Sequence, residues 1–220
     1  MQAEFGSNVC EKRGSEVIRK IGLTGGIASG KSRVAEMLSQ LLDCVHIDAD
    51  EVCRNLLEPQ AEGWREFSRA FGSEYFSGDG SINRPLLRKN LFADEDFRQQ
   101  VNNVIHPLVK KMIIEQMELI IKADSNSRVL VEVPLLYEVQ WEVLFDTVIV
   151  VYADYETCLK RLMARDGLTR NAAVIELESQ MPLSEKVVQA DHVIDNSGSL
   201  ADTNKQVEHL AELLKNNGKR

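Results

Sequence analysis

The chain has 220 residues, 44% hydrophobic and 27% charged, with a formal charge of −8. That length and composition allow one good core with at most one inserted subdomain, and they exclude disorder and collagen-like repeats. The balance of 34 acidic against 26 basic residues argues against a general nucleic-acid-binding surface, so any anion site must be built locally.

Residues 1–16 are polar and aperiodic and are read as a tail outside the fold. They hold no apolar segment that would act as a secretory signal. The longest unbroken apolar run, 148–153, is far short of the roughly 20 residues a membrane helix needs. A cytoplasmic protein without membrane contact is expected. Cys10, Cys44, Cys53 and Cys158 form neither a C-x-x-C pair nor a regular framework, which predicts free thiols and no cysteine-built zinc site.

Along the chain, 17–24 is short and β-prone and 25–30 is glycine-rich. Lys31–Leu42 then places Val34, Met37, Leu38, Leu41 and Leu42 on one helical face. Residues 44–50 predict a second strand, in which Val45, Ile47 and Ala49 alternate with His46, Asp48 and Asp50, so that two carboxylates end it on one side. The stretch 51–122 holds amphipathic helical pieces broken by Pro59, Gly72, Gly78-Asp79-Gly80, Pro85 and Pro107, the pattern of a helical insertion.

Strand patterns return at 129–133 and 147–153, as continuous apolar runs suited to a parallel sheet covered on both faces, and again at His192–Asp195. The charged helical stretch 156–190 is interrupted at Asp166-Gly167, where glycine can take the left-handed conformation that closes a helix. A hinged lid over 160–190 fits there. Finally, 200–214 predicts a terminal helix that packs Val207, Leu210, Leu213 and Leu214 on the sheet. The alternation implies an open, mostly parallel α/β sheet flanked by helices. Its core would be 17–50 with 123–220, with a helical insertion at 51–122.

The strongest motif is Gly25-Gly26-Ile27-Ala28-Ser29-Gly30-Lys31-Ser32, a G-x-x-x-x-G-K-[ST] phosphate loop between a predicted strand and a predicted helix. Such a loop turns backbone amides inward as an anion nest, and the helix points its positive end at the same phosphates. Lys31 would reach the β- and γ-phosphates of ATP or GTP, and the Ser32 hydroxyl is placed to ligate the Mg2+ that bridges them. The Asn-Lys-x-Asp pattern of a GTPase is missing, because Asn204-Lys205-Gln206-Val207 lacks the aspartate. The third strand offers only Glu132 as an acidic strand end, and the chain length suits a small-metabolite kinase. His46, His192 and His209 read as strand or surface residues, and Trp64 and Trp141 as packing residues.

Several blocks in order resemble the dephospho-coenzyme A kinase family. They are Ile21-Gly22-Leu23-Thr24-Gly25-Gly26-Ile27 with Ser29-Gly30-Lys31-Ser32, Ile47-Asp48-Ala49-Asp50 and Arg84-Pro85-Leu86-Leu87-Arg88 in the first part of the chain. His106-Pro107-Leu108, Val133-Pro134-Leu135-Leu136, Met163-Ala164-Arg165-Asp166-Gly167-Leu168 and Val193-Ile194-Asp195-Asn196-Ser197-Gly198 follow. Two residues depart from the family pattern: Ala28 stands where glycine is usual and Arg33 where threonine is usual. An alanine at 28 is expected to require a negative φ.

The resemblance implies transfer of the ATP γ-phosphate to the ribose 3′-hydroxyl of dephospho-CoA by a P-loop NTPase-type fold. It implies that residues 25–33 hold ATP, and that Asp50, at the end of the second strand, orients the hydroxyl and takes its proton. Asp48 would hold Mg2+ through water or orient the site, though an Asp-x-Asp pair at a strand end equally caps the next helix. Arg161 and Arg165 share a helix face; Arg165 would stabilise the transferring phosphoryl group, and a solvated face paired with Glu156 or Asp166 is the alternative. Asn196 would read the adenine edge, or satisfy its own turn. Arg84, Arg88 and His106 would bind the acceptor. His106-Pro107 is also a plain helix start.

The expected partner is dephospho-CoA, and the chain is expected to be a monomer or weak homo-oligomer. A kinase of another small acceptor and a non-catalytic nucleotide switch remain the rival readings.

Overall fold

A computed structural model describes residues 18–216 of the chain. The expected tail, Cys10 and the start of the first predicted strand lie outside the described residues. The chain divides into two compact units, one of 18–46 with 124–216 and one of Ile47–Ala123.

The first unit carries most of the sheet. Strands β1 (Lys20–Gly25), β2 (Val45–Asp48), β3 (Val129–Glu132), β4 (Thr147–Tyr152) and β5 (His192–Asp195) lie in the order β2-β3-β1-β4-β5. The central strand β1 runs parallel to β3, with Leu23 opposite Glu132, and parallel to β4, with Gly25 opposite Val151. Strand β5 adds parallel to β4. This is the open α/β sheet that the alternation predicts, and its order puts the C-terminal ends of β1, β3 and β4 side by side. Strand β1 extends to Gly25 because that residue still pairs with β4.

Side chains of Ile21, Leu23, Leu130, Ile149, Val151 and Ile194 point from the sheet onto helices α1 (Lys31–Leu42) and α9 (Leu200–Asn216). Val34, Leu38, Val207, Leu210 and Leu214 meet them there, with Met37 and Leu41 partly buried at the edge. Leu213, expected in that face, is 38% exposed, and Ala211 and Thr203 are buried instead. A residue two positions from Ala211 lies about 200° around the helix, so both cannot face the sheet.

Across β4, three helices follow: α6 (Tyr155–Asp166), α7 (Arg170–Glu178) and α8 (Leu183–Gln189). Helix α6 ends at Gly167, which takes φ 67° and donates its N–H to the Met163 carbonyl, the expected left-handed stop. Leu159, Leu162 and Ala173 join α6 to α7 in a small core of their own.

The second unit is helical. Its spine is α5 (Glu95–Ala123), against which α2 (Ala49–Leu56), α3 (Glu62–Phe71) and α4 (Arg84–Ala93) pack. Fully buried Phe67 lies at the centre of an aromatic group with Phe71, Tyr75 and Phe76. Trp64 stacks obliquely on Phe76 and donates to the Gly80 carbonyl at 2.7 Å, in keeping with a packing role.

Two expectations fail here. The second strand stops at Asp48, and Ala49 and Asp50 already belong to α2. Asp48 caps that helix by accepting the Asp50 amide at 2.8 Å, a local bond that competes with strand extension. Pro107 does not start a helix either, since α5 runs through it. Val101, Ile105, Val109, Ile113 and Met117 form a continuous buried stripe four residues apart on both sides of the proline. Burying that stripe outweighs the roughly 3 kcal/mol that an interior proline costs.

Ile113 is fully buried in this spine. Ile113→Ala is expected to destabilise the protein by about 2–5 kcal/mol, read from the midpoint of urea unfolding.

Candidate active site

The phosphate loop leaves β1 at Gly25 and enters α1 at Lys31. Gly25 has no room for a side chain, because a Cβ would stand 2.5 Å from the Val151 carbonyl oxygen. Gly30 precedes the helix at φ 93°, a conformation that favours glycine, and the amide of Asn196 fills the space where a Cβ would go. No side chain caps α1, so its positive end faces the loop uncapped by a side chain. Across the mouth, Lys31 Nζ donates to the Gly26 carbonyl at 2.7 Å.

Ala28 takes φ 59°, contrary to the negative value expected of alanine there. The left-handed conformation costs a non-glycine residue about 1–2 kcal/mol. Ala28 and Ile27 pack against the Leu159, Leu162 and Ala173 cluster, which offsets that cost.

Behind Lys31, Ser32 Oγ donates to Glu132 Oε1 at 2.9 Å. Glu132 is 4% exposed, at the C-terminal end of β3, and its Oε2 makes no hydrogen bond although His46 Nε2 lies 3.5 Å away. Burial pushes the Glu132 carboxyl up, but His46, the Ser32 hydroxyl and the Lys31 charge outweigh it and hold the group below its ordinary range. Sequence reasoning set Glu132 aside, yet it stands behind the loop; His46 is the exposed strand residue expected, and it also faces Glu132. The available signal was position: an acid on the last residue of the strand that neighbours the phosphate-loop strand.

Asn196 follows β5 and is committed at both ends of its side chain. Nδ2 donates to the Ser29 carbonyl at 2.7 Å, and Oδ1 accepts from Thr203 Oγ1 at 2.8 Å. It therefore ties the loop to α9. Its backbone carbonyl accepts from Arg161 Nη2 at 3.0 Å, while Arg161 Nη1 is buried without a hydrogen-bond partner. Arg165, one turn further along α6, holds its own neighbour Asp166 through two bonds of 2.8 and 2.9 Å. Spacing alone put the two arginines on one face; the structure gives them different partners, Asn196 for Arg161 and Asp166 for Arg165. Arg33 pairs with Glu36 at 3.3 Å on the exposed side of α1.

The remaining residues named from sequence belong to the helical unit. Asp50 is exposed in the first turn of α2, and Asp48 caps that helix with its Oδ2 3.7 Å from Arg54. Arg84 and Arg88 line one pocket of about 230 Å3 with Leu57, Ile82, Leu87 and Leu91, and Arg84 also lies 3.8 Å from Glu58. His106 is in mid-helix, where burial lowers its pKa. Among the described residues, no three His, Cys, Asp or Glu side chains cluster as a metal site, and no helix is long and apolar enough to cross a membrane. The described cysteines, Cys44, Cys53 and Cys158, are free thiols.

Because its folded pKa is depressed, Glu132 adds stability above its ordinary value of 4.5, which is lost as pH falls through the folded value. Glu132→Gln should therefore be less stable than the parent chain near neutrality. The gap should narrow below that pH, as followed by thermal melting in a pH series.

A profile of the dephospho-CoA kinase family matches residues 19–202. A Listeria monocytogenes dephospho-CoA kinase is 41% identical over 189 residues, 86% of this chain and 94% of that protein. A Danio rerio dephospho-CoA kinase domain-containing protein is 43% identical over 195 residues, 88% and 84% of the two chains. Among solved structures, a Campylobacter jejuni dephospho-CoA kinase aligns with TM-score 0.60 and 28% identity, covering 90% of this chain and 98% of its own. An Acinetobacter baumannii shikimate kinase shares the fold at TM-score 0.52 and 15% identity, over 93% and 97% of the chains. A phosphate loop backed by a buried strand-end acid, and a family match over most of the length, lead to one conclusion: the chain belongs to the dephospho-CoA kinase family.

Proposed function

We propose a division of labour among these residues for the reaction of the family, ATP-dependent phosphorylation of the dephospho-CoA ribose 3′-hydroxyl to give coenzyme A and ADP. Family membership disfavours the kinase of another acceptor and the nucleotide switch. The observation that carries the assignment is the meeting of Ser32 and buried Glu132 behind Lys31.

Residues 25–32 bind the ATP phosphates through backbone amides and the α1 terminus, and Lys31 exchanges its bond to the Gly26 carbonyl for the β- and γ-phosphates. The buried Glu132 carboxylate, with Oε1 on the Ser32 hydroxyl and Oε2 facing His46 Nε2 at 3.5 Å, makes with that hydroxyl a hard oxygen set that fits Mg2+. Ser32 would hold the ion, with Glu132 reaching it directly or through water. An ion held there would neutralise charge on the β- and γ-phosphates. Asp48 is less suited, since it already caps α2.

Arg161, with one nitrogen buried and unpartnered, supplies cationic charge beside the loop. Arg165 does so only after releasing Asp166. The Asn196 backbone, more than its committed side chain, is left to meet the adenine. Asp50 orients the acceptor hydroxyl and accepts its proton, and Arg84 and Arg88, with His106, bind the acceptor's anionic groups. Closure of 160–190 over the nucleotide would exclude water. The free thiols fit a reducing cytoplasm, and the chain is read as a monomer or weak homo-oligomer.

ADP release from Mg-ATP is expected to depend on dephospho-CoA, with a product heavier by one phosphate. Release without that dependence would contradict the substrate assignment. Asp50→Asn should lower kcat by about 10²–10⁴-fold while leaving the KM for ATP in place, and near-normal turnover would remove Asp50 as the base.

A further inference from the structure

Gln180 lies far from the phosphate loop in sequence, yet its Oε1 accepts the Ile27 amide at 3.2 Å. It belongs to the short connector between α7 and α8, and that connector is fixed by an ion pair between fully buried Lys186 and half-buried Glu138. Glu138 Oε1 accepts the Met181 amide at 3.1 Å and the Lys186 ammonium of α8 at 2.8 Å. Lys186 Nζ also donates to the Pro134 carbonyl at 2.9 Å, the same oxygen that accepts from Thr24 Oγ1 at 3.2 Å, one residue before the loop begins. The Lys186 side chain is fully buried. Leu183 on the same helix leaves only 3.0 Å to the position a Gly26 Cβ would take.

A buried ion pair is a poor source of stability, because desolvation offsets most of its Coulomb energy and apolar replacements are often neutral or better. Apolar side chains would fill this space but could neither accept the Met181 amide nor donate to the Pro134 carbonyl. What the pair supplies is therefore placement of the connector, and through it of the Gln180 carboxamide.

We propose that Lys186 and Glu138 are positioning residues for nucleotide binding that act on the phosphate loop through Gln180. The pair holds the connector where Gln180 takes the Ile27 N–H out of the anion site and anchors the loop backbone there, which sets the course of the residues that follow before the phosphates arrive. This inference rests on the reading of residues 25–32 as the ATP phosphate site.

The test is a set of calorimetric Kd values for ADP without acceptor, together with KM values for ATP and dephospho-CoA. Gln180→Ala should raise the Kd for ADP by about three- to tenfold, the effect of one hydrogen bond, with the KM for dephospho-CoA unchanged. The charge-neutral double variant Lys186→Met with Glu138→Leu should give a similar rise, and none in addition when Gln180→Ala is already present. Rises that add, or a folded double variant with parental Kd, would overturn the proposal, since a merely structural pair would lower the melting temperature independently of Gln180. If the double variant does not fold, Glu138→Gln replaces it. That change keeps an acceptor for Met181 and loosens Lys186, so a smaller rise that Gln180→Ala abolishes is expected, and no rise overturns the proposal. Failure of the parent chain to bind ADP or ATP would instead refute the reading of 25–32.

Discussion

A loop whose amides must face a ligand cannot also use those amides to hold itself together, and that constraint organises this protein. Residues 25–32 have few bonds of their own, chiefly Ser29 N–H to the Gly26 carbonyl at 3.3 Å and the Lys31 ammonium to that same carbonyl. The shape is imposed from outside. Asn196 takes the Ser29 carbonyl, Gln180 takes the Ile27 amide, and Glu132 takes the Ser32 hydroxyl. Each of these comes from the end of a strand or from a helix connector on the same edge of the sheet, so the parallel register of β1 with β3 and β4 is what delivers them.

The electrostatics follow the same plan. An uncapped helix start, Lys31 and Arg161 gather positive charge at the loop of a chain whose net charge is −8. A single buried carboxylate, Glu132, stands among them and stays ionised because its neighbours favour the anion. Overall charge thus says little about the site, whereas local composition at one sheet edge says much.

Much of this was legible in the sequence because it is local. The phosphate loop is a contiguous motif between two periodic segments, and α1 and β5 begin and end where their patterns do. The stop of α6 at Gly167 needed only the glycine. What stayed hidden depends on neighbours far along the chain. The course of α5 through Pro107 is decided by a buried stripe that local breaker rules do not weigh. The choice between Arg161 and Arg165 rests on Asn196 and Asp166, which helical periodicity does not see. Glu132 and His46 are unremarkable singly and acquire meaning only when β3 lies beside β1. Ala28 takes a positive φ because α6 and α7 receive its side chain, a packing fact absent from residue preference.

The separations spanned by the loop's external bonds have a bearing on how the site comes into being. Ser32 waits for a partner 100 residues on, Ile27 for one 153 residues on and Ser29 for one 167 residues on. Contacts of such long range form late, after their loop-closure entropy has been met by the rest of the fold. A chain that ends before β5 carries the motif with Glu132 and Gln180 but without Asn196. The loop therefore reaches its full set of outside bonds only once β5 and the residue that follows it are in place.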